Sequence, residues 1–165
     1  MTGQMAAMMA AIKAHETLFR YWRSLRQEGR LPSRAQLDPS AFRNLLPQIS
    51  LVDVSGDPLD PVCLKQRLAG TGFYPAYGRE ITGRTFAEIY PPAASAYWCE
   101  ELAFVVRTQK PSVGLHNMAW RGLPGLSLFW LRLPLSTDGK NVDVILGHDA
   151  FIGELRLPNS GIRAA

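Results

Sequence analysis

Between Met5 and Gln27 the residues Met8, Ile12, His15, Phe19, Trp22 and Leu25 or Arg26 recur at three- and four-residue spacing. That is the period of a helix with one covered face. Lys13, Arg20, Arg23 and Glu28 fall mostly between those positions, and Gly29 and Pro32 end the pattern. The stripe is wide and aromatic, so residues 1–30 are expected to form an amphipathic helix that covers a sheet or meets a second copy, with Phe19 and Trp22 as its dimer contacts. A short helix follows, capped by Asp38 with Pro39 at its first position, and runs through Phe42 and Leu45 to Pro47. Ile49 to Val54 and the alternating run Val62 to Ala69 read as strands, separated by Ser55-Gly56-Asp57-Pro58, and together as an antiparallel hairpin.

From Gly70 to Pro92 glycines and prolines break the chain into short pieces. Ala93 to Thr108 is again amphipathic, with Trp98, Leu102, Val105 and Val106 inward and Glu100, Glu101 and Arg107 outward. Val113–Trp120, Leu126–Leu135 and Val142–Ile152 read as three further antiparallel strands joined by Gly-containing turns. The expected fold is therefore α+β: a five-stranded antiparallel sheet with helices inserted between its second and third strands. In the last two strands neither alternating set is wholly polar, so both sheet faces are expected to be covered. The inserted helices would cover one face and the N-terminal helix the other. The domain is set at 31–152, followed by a short tail, 153–165.

Composition narrows the class. A chain of 165 residues, 47% hydrophobic and 19% charged, suits one globular domain. Its apolar runs are too short to span a membrane. Lys13 ends the first run early and no basic residue precedes it, which argues against a signal peptide. The net charge of +4 resides in residues 1–48, with seven basic and three acidic side chains, whereas residues 49–165 balance at eleven each. So dilute an excess, without an aromatic–basic module, gives no nucleic-acid partner. Cys63 and Cys99 lack a CxxC spacing and read as buried free thiols, which suits a cytoplasmic location.

Candidate chemistry is sparse. No GxSxG elbow is present, and Glu100-Glu101 reads as a solvated helix face. Gly70 and Gly72 begin a dinucleotide-type glycine pattern that Pro75 interrupts. His116 and His148 sit on strands whose alternation could turn both toward the inserted helices, beside Met118 and Trp120. A satisfied core histidine is commoner than a ligand, so no metal is expected. If a pocket exists, it should have apolar walls near Tyr74, Tyr77, Trp98, Met118, Trp120 and Phe129, with Arg67, Tyr77 and His148 as polar groups. Within Gly70-Thr71…Gly78-Arg79-Glu80…Gly83, glycines allow positive φ, and Arg79 and Glu80 could tie the segment down or face an anionic ligand or partner.

That order of elements, with Leu31-Pro32, Leu37-Asp38-Pro39, Leu45-Leu46-Pro47, Arg67-Leu68-Ala69-Gly70-Thr71, Tyr77-Gly78-Arg79-Glu80-Ile81-Thr82-Gly83 and Leu133-Pro134-Leu135-Ser136, resembles a PAS domain. More narrowly, it resembles an alphaproteobacterial PAS-like regulatory family over roughly residues 16–152. The resemblance implies signal perception, ligand binding or dimerisation without catalysis. It leaves the cofactor unknown: Cys99 lies outside a flavin-attachment motif, and none of His15, His116 and His148 lies on the connecting helices where haem-binding members carry theirs. The expected function is a sensory or regulatory module that binds a small ligand or a protein partner. Its partners would be an unidentified signalling protein and a second copy of itself. A ligand-free interaction adaptor and, further off, a small open-barrel enzyme are the alternatives. With only a short tail after residue 152, the signal is expected to pass to another protein.

Overall fold

The computed structural model describes residues 2–155. Helix α1 (Thr2–Leu25) is followed by 3-10 turns at Arg34–Gln36 and Pro39–Gln48, strand β1 (Ile49–Val54), a 3-10 turn at Pro61–Cys63 and strand β2 (Leu64–Ala69). The short helices α2 (Phe73–Tyr77) and α3 (Phe86–Ile89) lead into α4 (Pro92–Thr108). Strand β3 (Ser112–Met118), a 3-10 turn at Ala119–Arg121, β4 (Leu123–Leu135) and β5 (Val144–Gly153) complete the order. All five strands join one antiparallel sheet in the order β2-β1-β5-β4-β3. The expected α+β architecture is present, and the first two strands pair as the expected hairpin.

Boundaries differ where prolines intervene. Pro61 draws Val62 and Cys63 into a turn capped by the Asp60 carboxylate, which accepts from the Val62 N–H at 3.0 Å, so β2 starts at Leu64. Cys63 is consequently half-buried rather than buried, whereas Cys99 is buried on α4. Asp38 caps the turn that follows it, accepting from the Ser40 N–H at 3.0 Å. The tail expected from residue 153 lies mostly outside the described residues.

Helices α2 to α4 cover one face of the sheet, called the inner face below. There Trp98 of α4 meets Trp130 of β4 at 5.6 Å between ring centroids, and Phe73 of α2 meets Phe151 of β5 at 5.6 Å. Helix α1 covers the outer face. Its buried stripe runs through Ala11, His15, Leu18 and Trp22, with Met8 and Phe19 partly buried. The sequence spacing places Ile12 in that stripe. The small Ala11 lets the helix approach the sheet instead, and the helix phase leaves Ile12 39% exposed.

Trp22 fixes the C-terminal end of α1. It is 1% exposed, and its indole N–H donates to the Pro134 carbonyl at 2.8 Å. It is therefore enclosed by its own chain rather than presented to a second copy. Replacing it removes a large buried ring and strands a strand carbonyl. Trp22→Ala should cost about 3–5 kcal/mol in urea unfolding, whereas Trp22→Phe should lose only about 1–2 kcal/mol.

Candidate functional site

The inner face carries a buried ion pair. Arg132 on β4 is 6% exposed and Asp149 on β5 is 1% exposed. Strand register sets Trp130 opposite Asp149 and Arg132 opposite Gly147, so the guanidinium reaches its carboxylate diagonally. Nη1 donates to Asp149 Oδ1, and Nη2 donates to Oδ2 at 3.1 Å, a bidentate arrangement. Gly147 makes the space: a Cβ there would lie 2.8 Å from Arg132 Nη1 and 2.4 Å from Ser50 Oγ.

Aromatic rings enclose the pair. The Arg132 guanidinium lies 4.9 Å from the Trp98 ring centroid and 5.6 Å from that of Trp130, which adds cation–π attraction. Tyr77 of α2 and Tyr90, just after α3, share a hydrogen bond at 3.0 Å between their hydroxyls. Burial lifts both phenols above their ordinary pKa, so both are protonated at neutral pH. Burial works to lower the Arg132 pKa, but Asp149 and the two phenols more than offset it and hold it above the ordinary value. Trp120 packs on both tyrosines, at 5.9 Å and 5.2 Å. Chemically this arrangement is a charge-neutral brace between sheet and inserted helices.

The structure brings together Tyr77, Trp98, Met118 and Trp120 of the eight side chains expected around a pocket. It separates the other four from them. Arg67 lies at the surface, and its Nε donates to Asp53 Oδ1 at 2.8 Å, because outward positions of β2 face solvent. Tyr74 is 56% exposed, since the single turn and a half of α2 buries Phe73, Ala76 and Tyr77 instead. Phe129 and His148 lie on the outer face, against His15. The reason is register. His116 pairs with Leu128 and then Phe151, whereas His148 pairs with Leu131 and then Val113, so the two histidines fall on opposite faces. His116 stays inside, stacked on Tyr97 at 3.9 Å.

The glycine-rich block is a set of local ties. Arg79 Nη2 donates to the Glu88 carbonyl at 2.6 Å and so caps the end of α3. The Glu80 carboxylate accepts from the Thr82 N–H at 2.9 Å, which holds its pKa below the usual range. Gly78 ends α2 at φ 71°, where a Cβ would meet the Arg121 guanidinium. That guanidinium donates from Nε to the Tyr77 carbonyl at 2.7 Å. Gly70 passes so close to the Leu46 carbonyl that a Cβ would sit 2.3 Å from it. Thr71 and Gly83 lie in exposed turns on either side of these ties.

On the outer face His15 and His148 meet edge to face at 5.0 Å, with Phe129 4.4 Å from His15. Their ring nitrogens are buried and make no hydrogen bond of good geometry. Burial lowers the pKa of each to about 4. For His148 the second cause is Arg132. For His15, His148 and Arg132 add to the shift, while Asp149 and the nearby His148 backbone oppose it. Beside this pair runs an apolar groove of about 330 Å³, lined by Ile12, Phe19, Val113, Phe129 and Leu131. A second cleft, of about 390 Å³, opens between α3 and α4 beside Tyr90, Pro92 and Cys99.

Two outcomes follow from these geometries. Arg132→Met alone leaves Asp149 as a buried unpaired charge and should cost about 3–5 kcal/mol in denaturant unfolding. Adding Asp149→Leu should restore most of that loss. For the outer pair, a folded pKa of about 4 against 6.5 for a free imidazole means that the unfolded chain binds more protons between those values. The stabilisation is complete above pH 6.5 and is lost as pH falls toward 4. Unfolding free energy should drop by about 2 kcal/mol per histidine between pH 7 and pH 5. His148→Phe should remove about half of that slope, and an unchanged slope would show that other groups produce it.

Comparison with curated proteins found no match. A family model described as a PAS domain matches residues 10–149, which takes in most of α1, the whole inserted segment and the sheet as far as Asp149. Among the described residues no helix is long and apolar enough to cross a membrane. With its five-stranded sheet, its inserted helices and this match over most of its length, the chain belongs to the PAS domain family, whose members are sensory and regulatory modules.

Proposed function

We propose that this PAS module is an interaction adaptor whose working unit is a homodimer, and that it relays its signal by contact along the outer face rather than through a ligand enclosed in the sheet. The observation that carries this reading is an apolar strip left uncovered on that face. Met5 is 70% exposed and Met9 62% on α1, while Val113 is 55% and Leu115 57% on β3. Ile12, one and two helical turns beyond Met9 and Met5, lines the groove together with Val113. Lone exposed apolar side chains are ordinary, but a contiguous strip beside a groove marks a contact surface. The inner face supports the same reading, since Arg132, Asp149 and the rings of Tyr77, Tyr90, Trp98 and Trp120 occupy it. Of the helix residues expected at a dimer contact, Phe19 lines the groove and belongs to this surface, whereas Trp22 acts from behind it. The two free thiols suit a reducing cytoplasm.

A small ligand is the second reading. The cleft between α3 and α4 favours it, because it reaches Tyr90, whose hydroxyl belongs to the inner network. A ligand there would bear on the inserted helices, and through them on the sheet. Native mass spectrometry of gently purified protein separates the two readings. A non-covalent mass excess over the denatured mass supports the ligand, and a bare dimer supports the adaptor. Met9→Lys with Ile12→Lys should convert the dimer to monomer in sedimentation velocity. The pair should change unfolding free energy by no more than about 1 kcal/mol, since both sites are exposed. A wild-type chain that sediments as a monomer at every concentration overturns the self-association reading.

A further inference from the structure

We infer that the free edge of β3 pairs with β3 of a second copy, antiparallel about Gly114, so that two five-stranded sheets become one sheet of ten strands; this rests on the self-association reading above. The two edges of the sheet differ. At the β2 edge the chain closes on itself: the Gln66 N–H donates to the Arg84 carbonyl at 2.9 Å, and the Gly83 N–H to the Gln66 carbonyl at 2.6 Å. Lys65 bridges to Thr85, and Lys65 and Arg67 place charge along that edge. Covering segments and charges of this kind keep an edge from pairing with another chain. Strand β3, Ser-Val-Gly-Leu-His-Asn-Met, contains no Lys, Arg, Asp, Glu or Pro.

Its backbone is oriented for pairing. The Glu154 N–H donates to the Gly125 carbonyl, and this fixes the alternation across β4 and β5. Odd-numbered residues of β4 bond to β5, so even-numbered ones bond to β3, through Ser112, Gly114 and His116. The N–H and C=O groups of Val113 and Leu115 therefore face away from the sheet. The Tyr97 hydroxyl donates to the Leu115 carbonyl at 3.2 Å, as that orientation requires. A carbonyl has two lone pairs, so this bond leaves one free.

A second copy fits this edge because the strand is complementary to itself. An antiparallel pair centred on Gly114 sets Val113 against Leu115 of the second copy and Leu115 against its Val113. Both are hydrogen-bonded positions, so four backbone bonds form around the two-fold axis. Branched aliphatic side chains then stand opposite each other on the outer face. No like charges meet, because the strand carries none. At the axis, where the two backbones approach most closely, stands a residue without a side chain; a Cβ at Gly114 would meet the Trp130 ring at 2.4 Å. The axis runs perpendicular to the sheet, which puts both α1 helices on one side. The two grooves merge into one trough, floored by Val113 and Leu115 of both copies and walled by both Ile12 side chains.

Residue-resolved amide hydrogen exchange across a dilution series tests this, with sedimentation run on the same samples. The amides of Val113 and Leu115 should exchange freely in the dilute chain and become at least about tenfold slower as the dimer forms, because each gains a backbone bond. Those of Gly114 and His116 should be protected throughout. Val113→Lys and Leu115→Lys, at exposed positions, should each weaken self-association by about tenfold or more. A dimer in which the Val113 and Leu115 amides still exchange freely overturns the edge pairing while leaving an α1-mediated dimer standing. A chain monomeric at every concentration overturns both. Protection of these amides that appears only when another protein is added to a monomeric chain assigns the edge to a different partner and overturns this one.

Discussion

Two opposite charges enclosed between a sheet and its inserted helices govern the architecture. An unpaired carboxylate or guanidinium in that position would cost several kcal/mol, so Arg132 and Asp149 constrain each other's strands. Register must bring the two within reach, Gly147 must lack a side chain, and the rings of Trp98 and Trp130 must lie flat enough to receive the cation. The helices that bring Tyr77 and Tyr90 to the pair, α2 and α3, are short and set among glycines and prolines. Such segments contribute little helical stability alone. Local bonds hold them in place, from Arg79 to the end of α3 and from Arg121 to the end of α2. The irregular middle of the chain is thus specific in shape because side chains, rather than helix ladders, hold it.

The outer face follows another logic. There α1 rests on Phe129, Ala150 and Ile152 through Met8, Ala11 and His15, contacts without directional bonds. The imidazoles of His15 and His148 act as neutral rings in that layer. The face is covered along β5 and β4 but open toward β3, because one helix is too narrow to shield a twisted five-stranded sheet. That opening is where the groove and the exposed aliphatic side chains lie.

Much of this was legible in the sequence. Spacing identifies α1 and α4, turn chemistry separates the strands although β2 begins at Leu64 rather than Val62 and β4 at Leu123 rather than Leu126, and mixed alternation in the last two strands indicates a sheet covered on both sides. The site was less legible, and the reason lies in register. Alternation within Val144–Gly153 separates His148 from Asp149, but it does not say which of them faces the inserted helices. That depends on how β5 aligns with β4, which a single sequence does not reveal. Alternation alone allows His148 to turn toward the inserted helices, but it is Asp149 that faces them. A signal for the pair was present all the same: one cation and one anion, each within a largely apolar strand of the same hairpin, are best explained by each other. Phe129 exchanged faces for the same reason as His148. Ile12 misled through composition, because a small Ala11 in contact is harder to read than a large Ile12 out of contact. Chemical type alone marks Arg67 and Tyr74 as site candidates, and the structure gives one a surface ion pair and the other solvent.

Helix α1 is attached unevenly. Near its C-terminal end Trp22 donates to Pro134, and the Tyr21 hydroxyl accepts from the Asp38 N–H at 2.6 Å, so that end is bolted to the frame. Toward its N-terminal end it rides on methyl groups and rings, which resist separation but hardly resist sliding. A rod fixed at one end and greased at the other is a lever with its fulcrum near Trp22. A small shift of Phe129 or His148 beneath the middle of the rod becomes a larger arc at Met5, some four to five turns away.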